Sequence, residues 1–394
     1  MNGPTKSETS SKGIERSQRS RSLRPAGTFA NARRAEPRGN PASSVCWRRQ
    51  SGGAFPNAIS LDRKHLPVPE LSRRCADRVI SDLARGGAGA CASGRRKLER
   101  VMSRAQRWVA AQLWRASGRP VTDRELLYDG ATGLRIVTFH ETPPEQLERL
   151  RRIVDWCRTR FPMASPADVD RLVAGRWRTG PDRVLLTFDD GYESNFEAAR
   201  WLARIGVSAI FFVVPSLIDR TNQEYLRFHE QFGVKAYIPS TRPGARGLST
   251  SQIREMAAMG HRIAAHNFAH RDLGLLRDQA AIRYEVSNAV EKVGELTGSP
   301  CNDFAIAFGQ PDNVSEEAAA YLLEHCPRVY SCHRGLNVPG KTPRFLLRHA
   351  CEPHHPLAFT RICLEGGADR RVADAARTMS HRVGPLPISH ARLE

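Results

Sequence analysis

Two pairs of polar residues in this chain have the types and the spacing of a metal-dependent hydrolytic site. Asp189 and Asp190 directly follow an apolar run, and His266 and His270 stand at i and i+4 after another. Imidazole and carboxylate groups suit zinc and similar divalent ions, and three protein ligands leave coordination positions open for water. Such an ion lowers the pKa of a coordinated water, and a carboxylate beside it can accept the proton. The two pairs therefore predict a metal site with an adjacent general base.

Each pair is a weak signal by itself. Adjacent aspartates before a glycine are common in turns, and histidines at i and i+4 are common on helix surfaces. Here both pairs follow predicted strands, and functional residues collect at the carboxyl ends of parallel strands. Two further predicted strand ends carry His140 and, beside Cys332, His333. We expect these residues to converge on one rim of the fold.

The elements that would position these residues are seven short apolar segments that alternate with amphipathic, helix-like stretches. This alternation predicts a parallel α/β fold, and seven strands fit a barrel slightly smaller than the eight-stranded one. An open doubly wound sheet is the alternative. Residues 215–248 are rich in Pro, Gly and Arg and are predicted to form a long loop or insertion that shapes the site. The strand candidates are 134–139, 183–188, 207–214, 261–265, 303–308, 328–333 and 344–349.

The composition divides the chain into four predicted regions. Residues 1–100 form a low-complexity basic segment with 21 Lys/Arg against 8 Asp/Glu, whereas the remainder holds 39 against 33. The first segment has too few apolar residues to offset the entropy of ordering it, which predicts disorder. An amphipathic helical lead-in over 101–130, the barrel over 131–360 and a C-terminal tail over 361–394 follow.

The basic segment explains most of the net charge of +19 without requiring a nucleic-acid partner. A basic arm that binds nucleic acid or an anionic surface is one reading of it, and an organellar transit peptide is another. We favour disorder, or translated sequence ahead of a later start such as Met102. No specific nucleic-acid partner is therefore expected, and the sequence leaves the oligomeric state open.

The nine cysteines are scattered and contain no CxxC motif. This pattern indicates free thiols in a reducing compartment rather than a disulfide framework or a zinc finger. No apolar run approaches the roughly 18 residues of a membrane span, and no apolar secretory core follows the basic start. We expect a cytoplasmic location, with the amphipathic stretch after Met102 able to lie on a membrane surface.

Two motifs and their order resemble those of the polysaccharide deacetylase family, the NodB-homology domain. TFDDG at 187–191 and HNFAH at 266–270, separated by a βαβ unit, are similar to its first two motifs. FAIAFGQPDNVS at 304–315 is similar to the third, and RIVTFHE resembles the opening strand of many members. The resemblance covers residues 134–350 and implies a distorted (β/α)7 barrel that hydrolyses N-acetyl groups.

The resemblance also implies roles for individual residues. It makes Asp189 the general base, and Asp190, His266 and His270 the ligands of a divalent ion, with zinc expected and cobalt or another ion as alternatives. The backbone around Ile306, together with Phe308, would bind substrate and stabilise the oxyanion.

A late histidine supplies the general acid in many members, and we expect it to be His349. The alternatives are His333, His354 and His355, and His140 is interpreted as structural. The sequence departs from the family at three points. Asn267 replaces a Ser or Thr, and Ile306 and Ala307 stand where an aromatic residue and Pro are expected. The Arg that orients the base is absent from the third motif, where Asp303 stands nearby instead.

The expected function is metal-dependent removal of N-acetyl groups from an amino-sugar polysaccharide or glycan precursor, so the expected partner is an N-acetylated glycan. A catalytically inactive carbohydrate-binding barrel is one alternative, which the complete set of four motif residues disfavours. An amidase acting on a small non-glycan amide is the other, and the shape of the insertion at 215–248 would decide it.

Overall fold

The computed structural model describes residues 112–113, 115–177 and 180–388. The predicted basic segment 1–100 lies outside these residues, as do residues 101–111 and 114 of the predicted helical lead-in. At the centre of the described chain is one sheet of seven parallel strands in the order β6-β5-β4-β3-β2-β1-β7. The strands are β1 Leu134–Phe139, β2 Arg183–Phe188, β3 Ile210–Val213, β4 Arg262–Ala265, β5 Asp303–Ala305, β6 Arg328–Tyr330 and β7 His349–Ala350.

The two edges of this sheet meet through the residues that precede β7. The Leu346 N–H donates to Val329 O of β6, and the Ser331 N–H donates to Leu346 O, both at 2.8 Å. A few residues later, His349 of β7 pairs with Val137 of β1. The segment that leads into β7 is therefore hydrogen-bonded to β6 at one end of the row, while β7 itself lies at the other end. This contact curls the sheet into the predicted distorted (β/α)7 barrel.

Helices connect the strands and cover the outside of the sheet. In the described residues they are α1 Arg119–Tyr128, α2 Pro144–Arg160, α3 Pro166–Val173, α4 Asn195–Arg204, α5 Asn222–Glu230, α6 Thr250–Ala258, α7 Gln279–Thr297, α8 Glu316–His325, α9 Leu357–Leu364 and α10 Asp369–Val383. Local sequence explains several ends: Ser249 and Gln252 form a reciprocal capping box at α6, and Gly298 ends α7 in the left-handed conformation. None of the helices in the described residues is long and apolar enough to cross a membrane.

Alternate residues of each strand enter two different apolar clusters. Leu134, Ile136 and Leu185 belong to a small cluster inside the curled sheet. Val137 and Leu186 belong to the larger cluster between the sheet and the helices. Because successive side chains on a strand point to opposite faces, residue parity decides which layer each side chain enters. The same parity decides which polar residues reach the site.

The C-terminal segment expected to be a tail is helical and packed over its described part. It contains the second half of α9 and all of α10, and Met379 and Val383 of α10 are buried in the larger cluster. Asp369 at the start of α10 binds the buried Arg135 of β1 at 2.8 and 2.7 Å. These contacts join the segment to the barrel.

Candidate active site

The structure brings three of the four motif residues into a metal-binding arrangement at the carboxyl ends of β2 and β4. Asp190 Oδ1 lies 3.5 Å from His266 Nε2 and 3.6 Å from His270 Nε2. The three ligand atoms all lie within 4.8 Å of one another, and all three residues are buried. The spacing of these atoms fits a single ion between them.

The hydrogen bonding around the three residues also fits a cation. Asp190 Oδ1 is buried and has no hydrogen-bond partner within the described chain. A charged oxygen that is buried and unpaired is costly, and a bound cation would compensate it. His266 Nδ1 lies 2.9 Å from Ala305 O, so the backbone takes that nitrogen and leaves Nε2 toward Asp190.

The pKa shifts favour the protonation states that bind metal. Burial raises the pKa of Asp190, but the neighbouring His266, His140 and His270 outweigh it and bring the pKa down to about 2. Burial, together with the charge of His266, lowers the pKa of His270 to about 3. At neutral pH Asp190 is therefore ionised and His270 is neutral, which are the forms that coordinate a divalent ion.

Left-handed backbone is concentrated at this site. Asp190, Asn267, His270 and Phe308 have φ of 74°, 41°, 49° and 62°. This conformation is strained for residues other than glycine, and such strain clusters where the surrounding structure must hold a functional geometry. Gly191 has φ 75°, and a Cβ there would come within 2.8 Å of Val213 side-chain atoms, so the glycine of the DDG motif is required.

Asp189 is held by an arginine that the sequence reasoning missed. Arg348 Nη1 donates to Asp189 Oδ1 at 2.7 Å and Nη2 donates to Oδ2 at 2.9 Å. Arg348 is fully buried, and its Nε donates to Ser331 O. Burial raises the pKa of Asp189, but the charge of Arg348 outweighs it, with a smaller contribution from His266, and the pKa stays below its usual value. An arginine inside a predicted apolar strand was the available signal, because such a charge needs a buried acidic partner.

His349, the expected general acid, does not reach the site. It is the first residue of β7 and directly follows Arg348 in extended chain, so it faces the opposite side of the sheet. It is fully buried, its Nε2 lies 2.9 Å from Gly335 O, and the guanidinium of Arg135 is nearby. Burial, reinforced by Arg135, holds the pKa of His349 well below its usual value. His349 is not in position to protonate a leaving group beside Asp190.

His140, which we expected to be structural, lies at the site. Its Nδ1 is 2.5 Å from Glu352 Oε1, and its backbone N–H donates to Glu352 Oε2 at 3.2 Å. Burial lowers the pKa of His140, but the charge of Glu352 outweighs it, with help from Asp190 and Asp189, and the pKa lies well above its usual value. The imidazole is 41% exposed, so it can meet a substrate.

The other histidines considered for the acid role lie around this group rather than in it. His333 is buried with Nε2 2.8 Å from Val372 O of α10. His355 Nδ1 accepts the Glu352 N–H at 3.1 Å, and the His354 ring lies 4.5 Å from the His355 ring. His354 and His355 therefore adjoin the carboxylate that holds His140.

Fewer backbone N–H groups of the third motif are free to donate than expected. The Ile306 N–H donates to Tyr330 O at 3.0 Å, so it is already engaged and does not serve as an oxyanion donor. The Ala307 N–H donates to Asn267 Oδ1 at 3.1 Å. Phe308 N–H forms no backbone hydrogen bond within the described residues, and the Phe308 ring lies 5.0 Å from the His270 ring. Of the two residues expected here, only Phe308 has a backbone N–H without a backbone partner in the described chain.

The loop that carries His270 is supported from beneath by a buried glutamate of α7. Glu285 Oε2 accepts the N–H of Ala269 at 3.0 Å and the N–H of Arg271 at 3.4 Å, the two residues that flank His270. Asn267 Nδ2 donates to Arg271 O at 2.8 Å, so it closes the same loop. The substitution of Asn267 for Ser or Thr therefore keeps a local hydrogen-bonding role.

The insertion at 215–248, which includes α5, packs across the site. Tyr192, which follows the DDG motif, accepts the Ser240 N–H on its hydroxyl at 3.0 Å. Arg242 Nε donates to Glu141 at 2.5 Å, beside His140, and the Tyr237 N–H donates to Ala269 O at 3.1 Å. The insertion is thus attached to three of the loops that carry site residues.

The part of the chain that carries these motifs matches a known protein family. Residues 177–323 match the family model described as polysaccharide deacetylase. This part of the chain is therefore similar to the polysaccharide deacetylase family. The resemblance seen in the motifs is thereby confirmed over this stretch. The matched region holds Asp189 and the three metal-site residues, whereas His140, Arg348 and Glu352 lie outside it.

Several solved structures are similar to this chain, and no curated protein matches its sequence. IcaB from Ammonifex degensii is 20% identical, with a TM-score of 0.46 over 60% of this chain and 97% of that one. The BpsB deacetylase domain from Bordetella bronchiseptica is 20% identical, with a TM-score of 0.43 over 56% of this chain and 96% of that one. PplD from Streptococcus pyogenes is 17% identical, with a TM-score of 0.42 over 59% of this chain and 98% of that one.

Proposed function

We propose that this protein is a metal-dependent hydrolase that removes acetyl groups from the amino sugars of a polysaccharide or glycan precursor. The observation that carries this proposal is the buried set of Asp190, His266 and His270 beside a carboxylate, Asp189, that a buried Arg348 holds ionised. The family supplies the reaction class. Zinc is the proposed ion, and cobalt or another divalent ion is the alternative, because two imidazoles and one carboxylate suit this group of metals.

Asp190, His266 and His270 would hold the ion, and the bound ion would polarise the acetyl carbonyl and acidify water. Asp189 accepts one proton as water adds to the carbonyl carbon. Its low pKa ensures that it is ionised, and Arg348 fixes both oxygens so that the carboxylate keeps one orientation. The Phe308 N–H is the proposed donor to the oxygen that becomes negative.

We assign the second proton transfer to His140. Breaking the C–N bond requires a proton for the leaving amine, and the products are acetate and the free amino sugar. Glu352 keeps His140 protonated by raising its pKa, and the ring is exposed enough to reach substrate. His140 is thus a protonated acid opposite an ionised base, the pairing that amide hydrolysis needs.

The test measures metal content and acetate release on purified protein. Wild type should bind one divalent ion per chain, and the His266→Ala, His270→Ala double variant should bind none. Asp189→Asn should keep the ion and lose most of its activity, by about 10²–10⁴-fold, because the base is gone. His140→Ala should keep the ion and fall by a similar factor.

His325→Ala is the matched control for these histidine variants. His325 lies at the exposed end of α8 and bonds only within its own helix, to Tyr321 O. It should leave both measurements unchanged. An Asp189→Asn enzyme with wild-type activity would overturn the assigned roles, and a wild type that takes up no zinc or cobalt would favour the inactive carbohydrate-binding barrel.

We also propose a cytoplasmic location. The supporting observation is that the six described cysteines are free thiols, although Cys351 and Cys363 are hydrogen-bonded neighbours that an oxidising compartment could join. Fractionation of the native host would test this, and detection of the protein only outside the cytoplasm would refute it.

A further inference from the structure

We propose that a cavity at the amino end of β2 binds a phosphate ester, at a site separate from the metal centre. The cavity has a volume of about 310 Å³ and is lined by three arginines, one carboxylate and one indole: Arg171, Arg176, Arg183, Asp168 and Trp177. Arg183 is the first residue of β2, whereas Asp189 and Asp190 follow its last. Six strand residues at about 3.3 Å each separate the two places by roughly 20 Å. Binding here is therefore independent of the deacetylation proposed above.

The side chains around this cavity carry an excess of positive charge. Asp168 is buried, and it accepts hydrogen bonds from Arg171 Nη2 at 2.8 Å and from Arg183 Nη1 at 3.2 Å. Each of these guanidinium groups uses one nitrogen in this way, and within the described residues its other N–H groups make no hydrogen bond. Three guanidinium groups against one carboxylate leave a net charge of +2. Like charges held this close repel one another, and a bound anion would compensate them.

Arg176 is the arginine whose charge has no protein partner. It is exposed, and its guanidinium forms no hydrogen bond or ion pair with any residue that the structure describes. α3 ends through Gly175, whose φ of 70° is left-handed, and the Arg176 N–H then donates to Arg171 O at 2.8 Å. The backbone thus turns Arg176 back toward Arg171. An arginine that is placed by its backbone and has no side-chain partner is available to a ligand.

The groups that line the cavity stand on a fixed support. Val169 and Leu172 of α3 are fully buried in the small cluster inside the curled sheet, and Trp177 packs against the same cluster. Asp170 of α3 accepts hydrogen bonds at 3.0 and 2.7 Å from Arg262, the first residue of β4. The helix is therefore attached to the barrel by both apolar and charged contacts. Binding groups on such a support lose little freedom when a ligand binds.

The chemistry of these groups suits a phosphate ester that carries a ring. A guanidinium donates parallel N–H groups that match two oxygens of a phosphate, and an indole packs against flat organic groups. Trp177 Nε1 is buried and has no hydrogen-bond partner in the part of the chain described. An acceptor on a ligand would satisfy this nitrogen once the indole turns toward the cavity. A volume of about 310 Å³ lies at the lower end of the range for small-molecule sites, which fits a nucleoside monophosphate.

Isothermal titration calorimetry of the full chain with adenosine monophosphate and with inorganic phosphate tests the proposal. In about 0.15 M NaCl, weak attraction to exposed basic residues elsewhere is largely screened. Wild type should bind one adenosine monophosphate per chain, and more tightly than inorganic phosphate, because only the nucleotide reaches Trp177. Arg176→Ala should weaken nucleotide binding by about tenfold, since a charge-assisted contact is lost. Its melting temperature should match that of the wild type, because the Arg176 side chain has no partner in the described fold.

A spectroscopic measurement places the ligand beside the indole. Nucleotide binding should change the tryptophan fluorescence of the wild type. Trp177→Phe should still bind the nucleotide, because the arginines remain, but the fluorescence change should be absent. The same fluorescence change in Trp177→Phe would show that the nucleotide binds elsewhere and would overturn the proposal.

Two further proteins serve as controls. Arg254→Ala is the matched control for Arg176→Ala, because Arg254 is exposed on α6 and its side chain likewise has no partner among the residues described. It should bind the nucleotide as the wild type does. The His266→Ala, His270→Ala double variant should also bind it normally, which separates this cavity from phosphate bound at a metal ion.

Three results would overturn the phosphate site. They are a wild type that binds neither probe, equal nucleotide affinities for Arg176→Ala and the wild type, and loss of binding in the double histidine variant. If the wild type ignored both probes but sedimented with phosphatidic acid vesicles through Arg176, the basic groups would be assigned to a membrane surface instead.

Discussion

Asp189 is a buried carboxylate whose ionisation depends mainly on one partner, Arg348, far along the chain. The guanidinium makes two parallel hydrogen bonds to it, an arrangement that a lysine cannot reproduce. Since burial alone would raise the pKa of Asp189, the low pKa comes from Arg348. The pKa of Asp189 should therefore depend on which residue occupies position 348.

We predict that Arg348→Gln moves the acidic limb of the kcat/KM profile to higher pH, because the burial that raises the pKa of Asp189 is then unopposed. In the wild type the folded pKa of Asp189 is lowered, so its stabilising contribution is present above the unfolded pKa and is lost as pH falls through the folded one. The variant should also lose about 3–5 kcal/mol of unfolding free energy, the cost of leaving a buried charge unpaired. Urea unfolding and a pH–rate profile check both.

Arg328→Gln separates the two effects. Arg328 binds the buried Asp303 through two hydrogen bonds, as Arg348 binds Asp189, but Asp303 begins β5 and Asp189 follows the end of β2. The Arg328→Gln variant should have a lower free energy of unfolding than the wild type but the same acidic limb of the kcat/KM profile. An Arg348→Gln profile identical to that of the wild type would contradict the role given to Arg348.

At the scale of elements, α7 supports the metal site without contributing a ligand. Its buried Glu285 binds the backbone on both sides of His270, whose own φ is positive. We predict that Glu285→Ala weakens zinc binding by about 10- to 100-fold, as loss of partners outside the ligand set commonly does. Competition titration against a chromophoric chelator measures this without reference to activity.

Glu291→Gln, an exposed position on the same helix, should leave zinc affinity unchanged. The melting temperature of metal-free protein should be recorded for both variants, because general destabilisation would lower it without a specific effect on affinity. Equal zinc affinities for Glu285→Ala and the wild type would refute the supporting role.

The elements also show why some site residues were predictable from sequence and others were not. Asp190, His266 and His270 follow long or strongly apolar strands, and their motifs are local, so their convergence could be predicted. His349 was misassigned because β7 is only two residues long and its facing depends on pairing with β1. His140 carries no local signal, since its partner Glu352 is distant in sequence. Ile306 was misjudged because its N–H is taken by Tyr330 O, a pairing between strands.

At the scale of the whole molecule, the barrel extends into the C-terminal helices. Asp369 of α10 compensates Arg135 of β1, and both are buried. We predict that Asp369→Ala lowers the free energy of unfolding by about 3–5 kcal/mol, because it leaves the buried Arg135 charge unpaired. Activity per folded molecule should be unchanged, since neither residue touches the site.

Asp374→Ala is the control on the same helix, because the Asp374 side chain is 89% exposed. It should shift the urea midpoint little, as surface ion pairs contribute little. Equal midpoints for the Asp369 and Asp374 variants would show that α10 is an appendage rather than part of the barrel.

The segment that closes the barrel carries both Arg348 and Glu352, the partners of the proposed base and of the proposed acid. The partners of the two proton-handling groups therefore share one short stretch of chain, whereas the ion-holding residues come from elsewhere. An Arg348→Gln, Glu352→Gln double variant would therefore leave a protein able to hold a divalent ion but unable to turn over. Catalysis would then be lost without loss of the ion, so an inactive protein need not be a metal-free one.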